Sequence, residues 1–209
     1  MRFYIVNDSL DILRGVNVIP LQYCNFIHTF STRPPLFFTT PSLDILYQDY
    51  SFNACTIRSI IFFVREKTIL QAKSSSIRTV IKSVVSGGIG VQFDGGIAAD
   101  IGQGEYLLST VGTDSCLHYL NAGTHITAQF EYPSNYFELL MPSNHSPENW
   151  VYKGSISKRQ EILQRDIVNH HIVSNEREQQ FFRSMREFME DVVRDYDQQM
   201  GFQLDPNST

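Results

Sequence analysis

The chain has 209 residues, of which 42% are hydrophobic and 12% aromatic; this is enough for one substantial folded domain and argues against global disorder. A formal net charge of −5 excludes a surface that grips phosphate backbones through overall basicity, because such binding needs clustered Lys and Arg. Cys24, Cys55 and Cys116 are odd in number and widely spaced, which excludes a disulfide framework or a zinc-ligand spacing and predicts unreactive thiols in a reducing compartment.

No signal-peptide core follows the N-terminus, and no apolar run approaches a membrane span, so a cytoplasmic protein without membrane contact is expected. Residues 1–40 are apolar but aperiodic and broken by Pro20, Pro34 and Pro35, which suits edge strands or an arm. From residue 41 the strand signals become steady. Leu43–Tyr47, Thr56–Val64 and Thr68–Ala72 are short and rich in β-branched or aromatic residues. Ile77–Val85 ends at Ser86-Gly87-Gly88, and Asp94-Gly95-Gly96 marks a hairpin. Tyr106–Val111 follows, and Cys116–Leu120 pairs with Thr124–Tyr132 about Asn121-Ala122-Gly123. Strands at this spacing indicate a sandwich or barrel.

The pattern then changes. Pro133–Pro142 reads as a short helix closing the barrel domain of 41–142, and 143–157 reads as a polar connector. A helical region spans 158–201, with a tail at 202–209. Its first helix carries Lys158, Arg159 and Arg165, interleaved with Glu161 and Asp166, as in a solvated face. In the second, Phe181, Phe182, Met185, Phe188, Met189, Val192, Val193, Tyr196 and Met200 fall within an arc of about 140°. Such a face must be covered, either by the β-domain or by a second copy of the chain.

Signs of catalysis are absent. The six histidines include no His-x-His pair, and although His118 and His125 flank one turn, no carboxylate stands at a matching spacing. His170 and His171 are adjacent on a helix and point about 100° apart, so they cannot chelate together. The glycines of Ser86–Gly90 lack the Lys-Ser/Thr ending of a phosphate loop, and no Gly-x-Ser-x-Gly occurs. Neither a metal, a cofactor nor a catalytic group is expected.

The order of segments is nevertheless distinctive. Gly102-Gln-Gly-Glu-Tyr-Leu107 precedes Ala122-Gly-Thr-His125, and the strand after it ends in Phe130-Glu-Tyr-Pro-Ser-Asn-Tyr-Phe-Glu-Leu-Leu140. This resembles the N-terminal regulatory domain of AraC/XylS-type transcriptional regulators, especially the divergent ones of Bacteroidetes. The resemblance covers about residues 40–142. It implies a mainly β fold with α: a cupin-like (double-stranded β-helix or jelly-roll) barrel followed by C-terminal helices. It also implies effector sensing by an unidentified small molecule, a homodimer and no enzymatic turnover.

In that family two helices after the barrel provide the dimer interface, which here corresponds to Phe181, Met185, Phe188, Val192 and Tyr196. An effector would sit inside the barrel, where Arg78, Lys82, Gln92, Tyr106, His118 and His125 are the polar candidates on apolar strands. The family's DNA-binding pair of helix-turn-helix units does not occur up to Thr209, so DNA contact is expected only through a C-terminal domain absent from this sequence. Two other classes stay open: a cupin-fold enzyme of the isomerase or oxygenase kind, and an interaction domain with a filled barrel.

Overall fold

In Cys55–Val64, Ile57 and Ile61 point to one side while Ile60, Phe62 and Val64 point to the other, and all five are at most 6% exposed. A strand that is apolar on both sides belongs to a sheet covered on both sides. That single fact sets the three-layer arrangement of the chain. The computed structural model describes residues 2–6, 10–12, 15–27, 33–52, 55–73, 78–93, 96, 98–111, 115–133, 151–168 and 175–203.

Thirteen described strands form two antiparallel sheets. They run β1 (Arg2–Val6), β2 (Leu10–Ile12), β3 (Leu36–Thr39), β4 (Leu43–Phe52), β5 (Cys55–Val64), β6 (Thr68–Lys73) and β7 (Arg78–Ser86). The remainder are β8 (Gly88–Phe93), β9 (Ala98–Gly102), β10 (Glu105–Val111), β11 (Ser115–Leu120), β12 (Gly123–Pro133) and β13 (Val151–Ser155). One sheet has the order β2-β1-β6-β11-β8-β9 and the other β13-β10-β7-β12-β5-β4-β3. Two helices come after the strands, α1 (Lys158–Val168) and α2 (Asn175–Gln203). The architecture is a mainly β jelly roll with C-terminal helices.

The first core lies between the sheets. Phe3, Leu70, Ile89 and Leu120 of the six-stranded sheet meet Leu43, Ile45, Phe62 and Val64 of the seven-stranded one. The second core lies on the outer face of the seven-stranded sheet, where Ile57, Ile81, Leu108 and Phe130 are capped by Leu163 of α1 and by Met185, Phe188, Met189 and Val192 of α2. The Phe130 and Phe188 rings lie 4.8 Å apart.

This placement corrects the expected dimer interface. Met185, Phe188, Val192 and Tyr196 are at most 5% exposed within a single chain, so they are closed off from a second copy. The side chain of Phe181 is outside the described residues. The helix answers its own sheet because Met185, Phe188, Met189, Val192 and Val193 pack together on the outer face of β5, β7, β10 and β12.

Among the described residues, 1–40 supply the edge strands β2 and β3 together with β1, whose Phe3 is 2% exposed in the core. The span expected as connector contains β13, which pairs with β10 from Glu105↔Ser155 to Ser109↔Val151. The helix read at Pro133–Pro142 falls outside the described residues beyond Pro133, which itself ends β12.

One glycine makes the crossing between sheets possible. Gly87 (φ 81°) is the only residue between β7 and β8, which belong to different sheets. A Cβ there would lie 2.6 Å from Nδ1 of His125. Positive φ and lack of room both demand glycine. His125 then staples the corner: its Nδ1 accepts the Gly88 N–H at 3.1 Å and its Nε2–H donates to the Asn121 carbonyl at 2.8 Å.

Candidate functional site

Between the sheets, the inner face of the seven-stranded sheet is not uniformly apolar. One register row crosses four neighbouring strands as Asp49↔Arg58, Arg58↔Gln129 and Gln129↔Lys82, and Glu131 lies two residues further along β12. Facing this row from the six-stranded sheet are Cys116 and His118 of β11. The polar groups therefore gather at the end of the barrel where β4, β12 and β10 finish and β5, β7 and β11 start.

These groups form two connected sets. In the first, the Arg58 guanidinium pairs with Glu131, and its Nε donates to the Tyr47 hydroxyl at 2.7 Å. Tyr47 passes its own proton toward Asp49 Oδ2 at 3.4 Å. Gln129 Nε2 donates to Glu131 Oε1 at 2.7 Å. Side-chain exposure is 14% for Arg58 and 7% for Glu131, so the pair sits in a poorly screened place where each charge depends on the other. Burial pushes the Tyr47 hydroxyl up; the Arg58 charge opposes this and the Asp49 charge adds to it.

In the second set, Lys82 Nζ lies 2.5 Å from His118 Nε2, and Cys116 Sγ is 3.8 Å from both ring nitrogens. Burial drives the Lys82 ammonium down; the neighbouring Cys116 opposes the shift and the Arg58 charge reinforces it. Burial, and then the positive charge of Lys82, hold His118 well below its ordinary value against a hydrogen bond to the Leu70 backbone. Burial lowers both groups, and Lys82 lowers His118 further, so the pair holds less positive charge than two free side chains.

Among the described residues, one side-chain atom at this end has no partner. Gln129 is 2% exposed, and its Oε1 is buried without a hydrogen bond. The orientation of the amide is determined, since the Glu131 carboxylate can only accept and so takes the NH₂ group. A buried orphan acceptor is costly, and it can be relieved by an incoming donor. Arranged around it are an amine, an imidazole, a phenol and an ion pair, which suits a small polar molecule carrying hydroxyl or amine protons.

Two of the six expected ligand residues, Lys82 and His118, meet in the interior. Gln92 points to the far side of the six-stranded sheet, where the Tyr119 hydroxyl donates to its Oε1 at 2.5 Å. Tyr106 faces outward from the seven-stranded sheet and donates to Asp195 Oδ2 of α2 at 2.6 Å. His125 is the staple of the β7–β8 corner. Arg78 starts β7, paired with Val111 and Pro133, and its side chain is outside the described residues. Gln92 and Tyr106 are thus held away from the interior, whereas His125, on the inward face opposite Phe62, is taken up at the corner by Gly88 and Asn121.

Arg58, Gln129, Glu131, Tyr47 and Asp49 escaped the sequence reading. Their signal was the alternation itself. In Ala128-Gln129-Phe130-Glu131-Tyr132 the polar residues fall on one face, which ordinarily means the wet face. Here the apolar face meets α2 and the polar face turns inward.

Among the described residues no group of three or more His, Cys, Asp and Glu side chains converges as a metal site requires. Nor is any described helix long and apolar enough to cross a membrane.

No protein-family model and no curated protein matches the sequence. Solved structures are similar in fold. The AraC-like transcriptional activator CuxR superposes with a TM-score of 0.46 at 13% identity, covering 73% of this chain and 55% of that one. YhaK from Escherichia coli gives 0.41 at 12% identity over 53% and 51%. The bacterial pirin YhhW of Escherichia coli, in complex with nickel(II), gives 0.40 at 12% over 61% and 57%. The chain thus spans about half the length of these proteins. Its own two sheets and trailing helices make it a cupin-like jelly roll.

Proposed function

We propose that this chain is a non-catalytic sensing domain of the AraC type, in which a small polar effector enters the polar end of the barrel and acts on the C-terminal helices. The carrying observation is the double role of β12. Gln129 and Glu131 face the interior, while Phe130 and Tyr132, interleaved with them, face α2. The Tyr132 hydroxyl donates to the Met185 carbonyl of α2 at 3.0 Å, and the Phe130 ring meets that of Phe188 at a tilt of 50°. A ligand that bonds the Gln129 carbonyl pulls on a strand whose other face holds the helix. It can bias α2 only as far as it prefers one placement of β12 over another.

The resembling motifs support the same link. In Gly102–Leu107, Glu105 accepts the Gly102 N–H at 2.7 Å and pairs with Lys153 of β13 at 2.9 Å, and Tyr106 reaches Asp195. These residues fasten the barrel to β13 and α2. A homodimer belongs to this reading, through a surface other than the apolar face of α2, and light scattering across concentration checks it.

The test is a thermal-shift screen of pentoses, hexoses and small polyols, followed by hydrogen exchange on a hit. A hit should raise the melting temperature, lose its effect in Gln129→Leu, and change exchange in α2. A binder that leaves α2 amides unchanged would defeat the sensing reading. A cupin-fold enzyme is the second reading, favoured by the Lys82–His118–Cys116 contact; conversion of the bound compound over hours in NMR spectra would favour it.

A further inference from the structure

A groove of about 700 Å³ lies outside the barrel, between α1 and the outer face of the seven-stranded sheet. Its size suits a small organic molecule. Ile61 and Ile126 form its floor, Val85 one edge, and Phe26 and Ile156 its ends. Phe26 belongs to a short 3-10 turn (Leu21–Phe26) held in place by two bonds: Tyr23 donates to Asp44 at 2.6 Å, and Gln48 Nε2 donates to the Phe26 carbonyl at 3.0 Å.

The opposite wall is α1, whose start is set by a reciprocal cap. Ser157 Oγ accepts the Gln160 N–H at 3.2 Å, and Gln160 Oε1 accepts the Ser157 N–H at 2.8 Å. Arg159 ties this helix to Asp191 of α2 at 2.9 Å. Both walls are therefore built and anchored.

Two polar side chains line the groove: Ser59 on the floor is 2% exposed and Gln164 on the helix wall 7%. Thr127, their neighbour, is satisfied by the Ile60 carbonyl at 3.2 Å. Buried polar groups that face an apolar groove can hydrogen-bond a guest within it. Glu161 and Arg165 line the rim with opposite charges that cancel.

We infer that this groove is a second binding site, specific for a neutral, largely apolar molecule with at least one hydrogen-bond donor, its body on Ile61 and Ile126 and its donor shared by Gln164 and Ser59. This site does not depend on the interior one, since the two lie on opposite faces of the seven-stranded sheet. A guest here bridges α1 to the barrel.

The probe is N-phenyl-1-naphthylamine, which is neutral, aromatic and carries one N–H. Fluorescence titration should show saturable binding, and methyl NMR should show shifts at Ile61, Ile126 and Val85 but not at Ile45, Ile60 or Ile89 between the sheets. Val85 is 45% exposed, so Val85→Trp can fill the groove without disturbing the core; it should weaken binding at least about tenfold. Gln164→Leu should weaken it about threefold to tenfold, one hydrogen bond's worth. Non-saturable binding, shifts confined to the interior methyls, or unchanged affinity in Val85→Trp would overturn the site. Unchanged affinity in Gln164→Leu would overturn the assigned ligand class.

Discussion

The two ends of the barrel interior are built on opposite principles. At one end Leu43, Ile45, Phe62, Leu120 and Ile89 are at most 3% exposed and pack on one another, and the histidine at the corner, His125, has both ring nitrogens bonded. At the other, Asp49, Arg58, Gln129, Glu131, Lys82 and His118 occupy equivalent inward positions of neighbouring strands. The hydrogen-bonded ladder runs through both ends, so the difference lies in the side chains alone. An apolar end earns stability from any tight packing. A polar end returns little unless each group is satisfied, and here Gln129 Oε1 is not. Under the sensing proposal, this contrast is the reason for assigning the effector to the polar end rather than to the apolar one.

The largest expected effect sits at the polar end. Arg58→Leu strands the Glu131 carboxylate and should cost about 3–5 kcal/mol in urea denaturation. Adding Glu131→Leu to the same chain should recover most of that loss, because an apolar pair needs no partner. If the single replacement costs less than about 1 kcal/mol, the pair is solvated and the two ends are not as different as described. At the apolar end Leu120→Ala should cost about 3 kcal/mol, through lost transfer energy and the cavity left behind. That loss should change little between pH 5 and pH 8, since the contacts removed are apolar.

The two ends also differed in how legible they were. The apolar end follows from β-branched runs and their period, and so do the strands, the hairpins and the C-terminal helices. The polar end was half visible: Lys82 and His118 stood out as polar residues on apolar strands, yet Arg58, Gln129 and Glu131 read as an ordinary wet face. A period of two tells which residues share a face but not which face is inside. The choice was made by α2, whose apolar stripe claims the Phe130–Tyr132 side and turns Gln129 and Glu131 inward. The α2 stripe is open, by sequence, to the β-domain or to a second copy; the resemblance points to the copy, and the stripe lies against its own sheet. Tyr106 and Gln92 were lost for a related reason, each sitting one residue from an inward position, Leu107 and Val91.

A titration separates the ends further. His118 is held well below its ordinary value, chiefly by burial and then by Lys82. Below about pH 6.5 the unfolded chain takes up a proton on this histidine that the folded chain refuses. Stability is therefore full above that pH and falls as pH drops toward the folded value, by up to about 1.4 kcal/mol per pH unit for one proton. Lys82 acts in the same sense at higher pH: its folded value is lowered, so its contribution grows as pH rises toward 10.5 and is diminished below. His118→Leu combined with Lys82→Met should flatten urea midpoints between pH 5 and pH 8 relative to the parent, with Leu120→Ala retaining the parental slope. A parental slope in the double variant would mean that the acid sensitivity arises elsewhere.

The smallest effect belongs to the outer face of the same sheet and supplies the contrast with both ends. Tyr106 is fully buried there, and its hydroxyl donates to Asp195, which also accepts from Tyr152 at 3.2 Å. Gly154 crosses so closely over the Tyr106 ring that a Cβ would collide with it, which holds the ring in one position. Tyr106→Phe keeps that ring and deletes one of the three side-chain hydrogen bonds that Asp195 accepts, the others coming from Tyr152 and Gln199. Because the carboxylate keeps its Tyr152 partner, the loss should be about 1 kcal/mol. Burial, and then the Asp195 hydrogen bond and charge, raise the Tyr106 hydroxyl far above 10.0, while Tyr152 is pushed up to about 12 by burial and by Asp195. A raised phenol stays protonated in the folded chain while the unfolded chain ionises, so stability is lost as pH climbs above 10. Tyr106→Phe should shallow that alkaline decline and leave the acid side untouched, just as the interior double variant should do the reverse. If the Tyr106 change alters the acid limb instead, the inner and outer faces of the sheet are coupled electrostatically through β10, and the separation between them fails.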